Sequence, residues 1–196
     1  MKVGLYSGSF NPVHNGHLII AQHVLNETDL EQVWFIISPQ NPFKQQKSLL
    51  NEYDRLHLVS LAIEGSANLK ASDIEFKLTR PSYTINTLTY LTEKYPKHHF
   101  SVIMGSDSLQ NLTEWKNAHQ IMDRFPVYVY ERRGFAISNP GVKELHETKA
   151  PLLDISSTHI RNLIRDNKSI RYLVPDIVKE EIERNQYYKL KYPAKQ

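Results

Sequence analysis

The chain has 196 residues, is 40% hydrophobic and 23% charged, and carries a formal charge of +3. That suits one well-buried globular domain, and a polyanionic small molecule as well as nucleic acid. Disulfides, thiolate catalysis and cysteine-based zinc sites are excluded because there is no cysteine. No apolar stretch approaches the roughly 18 residues of a membrane span, no long run of like charges marks a nucleic-acid tail, and Met1-Lys2-Val3 opens without a signal-peptide pattern, so a cytoplasmic protein with no membrane partner is expected.

In chain order, Val3–Tyr6 reads as a buried strand and Gly16–Glu27 as a helix. Gln32–Ile37 is a near-continuous apolar run, as in a strand covered on both faces. Ser38–Ser48, with Pro39 and Pro42, must be a loop, and Glu52–Glu64 is amphipathic. Ala71–Leu78 alternates through Ile74, Phe76 and Leu78 and predicts a strand, broken at Pro81. Thr84–Lys94 is helical, Phe100–Met104 a strand, Trp115–Arg124 helical and Val127–Tyr130 a strand closed by Arg132-Arg133-Gly134. Leu152–Ile155 predicts a short strand, and Ser157–Asp166 and Pro175–Asn185 predict two closing helices, with Pro175 in a first helical turn. Trp34 and Tyr187-Tyr188 read as packing residues.

Strands separated by helical stretches imply right-handed βαβ units and a parallel sheet with helices on both faces. No linker or repeat divides the chain. One α/β domain over 1–196 is expected, with a small helical C-terminal portion at about 157–190. Ligands of such sheets bind beyond the carboxyl ends of the strands. The loops Gly8–Gly16, Ser38–Ser48, Gly105–Asn111 and Ile155–Arg161 should therefore gather on one edge.

Residues 8–18, Gly-Ser-Phe-Asn-Pro-Val-His-Asn-Gly-His-Leu, hold the densest chemistry. His14 and His17 sit where a strand hands over to a helix, whose free N–H groups and partial positive charge favour phosphate. The turn is neither G-x-G-x-x-G nor a Walker A loop. A zinc site would need a third ligand at suitable spacing, and the sequence places none there, so no protein-held metal is expected. A second cluster, Asp154-Ile-Ser-Ser-Thr-His-Ile-Arg161, crowds hydroxyls and a guanidinium at another helix start. It reads as a second phosphate site or as an ordinary serine cap.

Together the two segments resemble the HxGH nucleotidyltransferase superfamily, leaving pantetheine-phosphate adenylyltransferases and cytidylyltransferases open. Pro81-Ser-Tyr-Thr-Ile-Asn-Thr-Leu88, Gly105-Ser-Asp-Ser-Leu…Trp115 and Tyr130-Glu-Arg-Arg-Gly134 are similar to segments of bacterial nicotinate-nucleotide adenylyltransferases. The resemblance runs from Lys2 to about Tyr188. The chain departs from the pattern at Asn11, usually acidic; at Pro42-Phe43-Lys44, where a histidine is replaced; and at Arg132-Arg133-Gly134, one proline short.

The resemblance implies a Rossmann-like fold and a reaction joining nicotinate mononucleotide to the AMP part of ATP, in NAD biosynthesis. It implies His14, His17 and Arg161 as catalytic residues. ATP would be held by Gly8, Ser9, Phe10, His14, His17, Gly105, Asp107, Ile155, Ser156, Ser157, Thr158 and Arg161. Nicotinate mononucleotide would be held by Lys44, Thr84, Trp115, Lys116 and Arg133. Mg2+ would ride on the ATP phosphates. The expected partners are ATP and the mononucleotide, without nucleic acid; the sequence leaves an oligomer open. A nicotinamide-mononucleotide or pantetheine-phosphate enzyme is the alternative, and a non-catalytic nucleotide-binding module the reading from another class.

Overall fold

A computed structural model describes residues 1–39 and 49–189. Strands β1 (Lys2–Gly8), β2 (Gln32–Ile37), β3 (Leu69–Ser72), β4 (His99–Gly105), β5 (Val127–Tyr130) and β6 (Leu145–Thr148) form one parallel sheet in the order β3-β2-β1-β4-β5-β6. The helices are α1 (Asn15–Glu27), α2 (Glu52–Ala62), α3 (Thr84–Lys94), α4 (Ser106–Gln110), α5 (Ala118–Arg124), α6 (Ser157–Arg165) and α7 (Asp176–Arg184). No helix among the described residues is long and apolar enough to cross a membrane.

The apolar strands are apolar on both sides because both faces are covered. Val33, Phe35 and Ile37 of β2 join Tyr6, Tyr128 and Tyr130 in a core closed by Val24 of α1, Leu58 of α2, Ile160 of α6 and Val178 of α7. Trp34 and Ile36 join Val3, Leu5, Val102 and Val127 in a second core, closed by Leu88 of α3 and Ile121 of α5. Each fully buried aliphatic side chain here stabilises the fold by roughly 2 kcal/mol. The strand order reverses between β1 and β4, so a crevice opens beyond Gly8 and Gly105, where open α/β sheets bind ligands.

Several elements differ from the sequence expectation. The alternating run at Ala71–Leu78 is a strand only to Ser72; Ile74–Lys77 winds into a 3-10 turn whose Ile74 and Glu75 are buried. Alternation also places residues on two sides of so tight a turn, and the pattern does not separate the cases. Leu152–Ile155 is not a strand. The free edge of β5 is taken by Leu145–Thr148, pairing Tyr128 with His146 and Tyr130 with Thr148. An edge strand reading Leu-His-Glu-Thr carries almost no apolar signal. The helix expected from Trp115 begins at Ala118, after Asn117 in the left-handed region at φ 53°. Pro175 is the N-cap of α7 rather than part of its first turn.

Candidate active site

The loop after β1 is fixed from behind. Phe10 adopts φ 44° with its ring buried, a conformation uncommon for a non-glycine residue. It costs roughly 1–3 kcal/mol unless the surroundings over-determine it. Here they do: the ring meets those of Tyr6, His17 and Phe35 edge-on at 5.7, 5.0 and 5.2 Å. Three loop carbonyls are held by side chains. Arg55 donates to Ser9 (2.6 Å), Arg161 to Asn11 (2.7 Å) and Ser157 Oγ to Pro12 (2.8 Å). Arg55 is fully buried and also binds the carbonyls of Ser38, Pro39 and Leu50.

His14 is the N-cap of α1 and His17 its third residue, so one helical turn brings the imidazoles together. Their rings stack at 3.7 Å between centroids, 24° from parallel. The His14 backbone N–H donates to His17 Nδ1 at 3.2 Å. An accepting Nδ1 is unprotonated, so neutral His17 carries its proton on Nε2. Burial, reinforced by Arg132, lowers the His14 pKa from 6.5 to about 4. Burial, then His14 and Arg132, push His17 well below its ordinary value. Both rings are neutral near pH 7 and act as hydrogen-bonding groups. Among the described residues His14 Nδ1 is buried with no hydrogen-bond partner. Gly16 makes this stack possible, because a Cβ there would lie 3.0 Å from His14 Nδ1 and 3.1 Å from Cε1.

The histidines line a cleft of about 300 Å³ with Tyr130, Arg132, Ile155 and Ser156. Arg132, two residues past β5, places its guanidinium 6.0 Å from the centre of the Tyr130 ring. Its Nε lies 3.7 Å from Asp107 Oδ1, and its backbone N–H donates to Ser106 Oγ at 2.8 Å. Gly105 lets the three groups meet: a Cβ there would fall 2.5 Å from Asp107 Oδ1 and 3.2 Å from Arg132 Cγ. Arg133 turns the other way, to an exposed ion pair with Asp154 at 2.7 Å on the rim of this cleft.

A smaller cavity of about 70 Å³ adjoins the first, with Tyr130 lining both. Thr84, Gly105, Ser108 and Trp115 line it. Trp115 is half-buried against the second core. Lys116 is exposed, its Nζ 4.5 Å from the Tyr83 ring centre.

The sequence-expected residues therefore fall into three groups. His14, His17, Ile155 and Ser156 share the larger cleft, with Gly105 and Asp107 at its Arg132 edge. Thr84 and Trp115 share the smaller cavity. Ser157 and Arg161 contact the loop's backbone behind the histidines, and Thr158 Oγ accepts from Arg161 at 3.2 Å. Gly8 closes against the Phe10 ring, Ser9 bonds Arg55, and Arg133 sits on the histidine cleft rather than beside Thr84. Lys44 lies outside the described residues. In the sequence, Arg132 falls within the Tyr130–Gly134 motif, but the binding role is expected of Arg133, and Arg55 is given no role. The available signal for Arg132 is its place two residues past the end of β5, where ligand-binding loops of such sheets begin. Among the described residues no three His, Cys, Asp or Glu side chains gather to hold a metal.

The cytidylyltransferase-like family model matches residues 5–163. A probable nicotinate-nucleotide adenylyltransferase of Cytophaga hutchinsonii is 50% identical, covering 96% of this chain and 98% of its own. One of Flavobacterium psychrophilum is 48% identical, covering 96% and 100%. The nicotinic acid mononucleotide adenylyltransferase of Plasmodium falciparum, solved in complex with NaAD, shares the fold at a TM-score of 0.79 and 18% identity, covering 95% of this chain and 97% of that one. The chain belongs to the cytidylyltransferase-like family and, within it, to the nicotinate-nucleotide adenylyltransferases.

Proposed function

We propose that the paired cavities join nicotinate mononucleotide to the adenylyl group of ATP, giving nicotinate adenine dinucleotide and pyrophosphate. The observation that carries the reading is the neutral His14–His17 stack with Arg132, lining a cleft separated by Tyr130 from the cavity of Thr84 and Trp115. A phosphate oxygen of the mononucleotide forms a bond to the α-phosphorus. The bond from that phosphorus to the bridging oxygen breaks, and pyrophosphate leaves with the electron pair. No enzyme nucleophile is needed, so positioning and charge stabilisation carry the rate.

In this reading ATP occupies the histidine cleft. His17 Nε2–H donates to the α-phosphate oxygen, where charge builds. Arg132 supplies the permanent positive charge, since an arginine stays protonated where the buried histidines do not. Ser157 and Arg161 act through the loop, holding the Asn11–Pro12 backbone under the histidines. Trp115 gives a flat face to the pyridine ring, and Thr84 with the start of α3 receives the nicotinate carboxylate. Magnesium enters with ATP, on its phosphates, as part of the substrate.

The test is pyrophosphate release with ATP and a panel of acceptors. Nicotinate mononucleotide should exceed nicotinamide mononucleotide in kcat/KM by about a hundredfold, and phosphopantetheine should give no turnover. Equal turnover of acid and amide would refute the acceptor assignment. Tight ATP binding with no pyrophosphate from any acceptor would refute catalysis.

A further inference from the structure

Among the described residues one carboxylate is buried, Glu75, at 3% exposure. It lies outside both cavities, in the 3-10 turn that follows β3. Its Oε2 accepts from Ser82 Oγ at 2.7 Å and its Oε1 from Thr87 Oγ1 at 3.0 Å. Two hydroxyls thus converge on one carboxylate, one on each oxygen, and it forms no ion pair among the described residues. Packing alone does not ask for this. An apolar side chain would fill the corner without desolvating an acid, whereas a fully satisfied polar hub selects one arrangement of the elements it joins.

The elements joined are informative. Ser82 lies two residues before Thr84, and Thr87 lies three residues after it on the first turn of α3. The two hydroxyls bracket Thr84 in sequence, and Glu75 ties both to the sheet edge. The N-cap of α3, Tyr83, makes no side-chain cap. The carboxylate hub therefore holds the start of this helix where an ordinary cap would not. Thr84 enters the cavity that Trp115 lines. A small rotation of the first turn would move it out.

We infer that Glu75 is a positioning residue for the mononucleotide, fixing the Ser82–Thr87 turn so that Thr84 faces the cavity it shares with Trp115. This rests on the acceptor reading given above. It makes no contact with ATP or with the reacting phosphorus.

The test compares Glu75→Ala and Glu75→Gln with the parent protein, measuring KM for each substrate at saturating levels of the other, together with kcat and Tm. Glu75→Ala should raise KM for nicotinate mononucleotide about tenfold or more, while KM for ATP stays within about twofold, since displacing a positioning group acts on the substrate it aligns. Glu75→Gln retains an oxygen acceptor and should recover most of the loss. Should Glu75→Ala fail to fold, Ser82→Ala and Thr87→Val each remove one hydroxyl and should shift the same KM in the same direction. Equal rises in both KM values, or a lower Tm with both KM values unchanged, would overturn the inference and leave Glu75 merely structural. If the parent protein itself turns over no nicotinate mononucleotide, the functional reading fails and this inference falls with it. If the parent turns over and the variants match it, only this inference fails.

Discussion

Acid should destabilise this protein through His14, by an amount the structure sets. Its ordinary pKa of 6.5 drops to about 4 in the folded chain because burial, then Arg132, penalise the charged ring. Between those values the unfolded chain binds a proton that the folded chain refuses. The folded state therefore loses stability as pH falls from 6.5 to 4, and the contribution is fully present above 6.5. The two values lie about 2.5 apart, which at roughly 1.4 kcal/mol per pH unit corresponds to a limit of about 3 kcal/mol, with about 2 kcal/mol already lost at pH 5. Urea denaturation of the parent protein and of His14→Gln, from pH 7.5 down to 4.5, isolates the effect. The parent should lose stability relative to the variant as pH falls through this window, and ATP should lessen the loss because the polyanion favours a protonated ring. A stability difference between the two proteins that does not change with pH would refute the claim that His14 is held neutral.

Other consequences can be checked separately. Arg132→Ala should lower kcat/KM by about a hundredfold, as expected for the loss of a charge-stabilising group at the reacting centre. Arg133→Ala, which breaks an exposed pair with Asp154 on the rim of the cleft, should change it by no more than about threefold; similar losses in both would contradict the distinction drawn between neighbouring arginines. Gly16→Ala sets a methyl about 3.0 Å from the His14 ring and should reduce kcat by about tenfold while lowering Tm by only a few degrees, since only one ring must move; unchanged kcat would mean that the stack is not used. In 15N NMR of the free protein, His17 should appear as the Nε2–H tautomer, and an Nδ1–H signal would contradict its bond from the His14 backbone.

How much of this was legible in the sequence depended on the physics behind each element. Gln32–Ile37 could be read because a strand covered on both faces is apolar at successive positions, with Trp34 and Phe35 entering opposite cores. The histidines could be read because a single helical turn fixes their relation. Thr84 and Trp115 were expected at one subsite and line one cavity, though they come from elements that meet only in the folded sheet. The edge strand Leu145–Thr148 was hidden because it is defined by backbone pairing to β5, which leaves no mark on side-chain pattern. Arg132 and Arg133 both line the cleft and differ in partner, Asp107 for one and Asp154 for the other, which adjacency in the sequence does not reveal. Arg161 is expected at the phosphates; its Nη1 also reaches the Asn11 carbonyl across 150 residues of chain, a link no local pattern shows, while its Nε has no partner among the described residues. Arg55 and Glu75 were the least visible. A charged residue in an amphipathic or alternating stretch reads as solvated, and their burial follows from partners elsewhere in the chain: four carbonyls for one and two hydroxyls for the other.

The account turns on His17 as a neutral donor whose contact tightens as charge develops on the α-phosphate. Steady-state kinetics of His17→Ala with ATP and nicotinate mononucleotide tests this most directly. In that variant kcat should fall by about 10²–10³ while KM for ATP changes by less than about threefold, the signature of an interaction made chiefly in the transition state. An unchanged kcat, or a loss confined to KM, would contradict it.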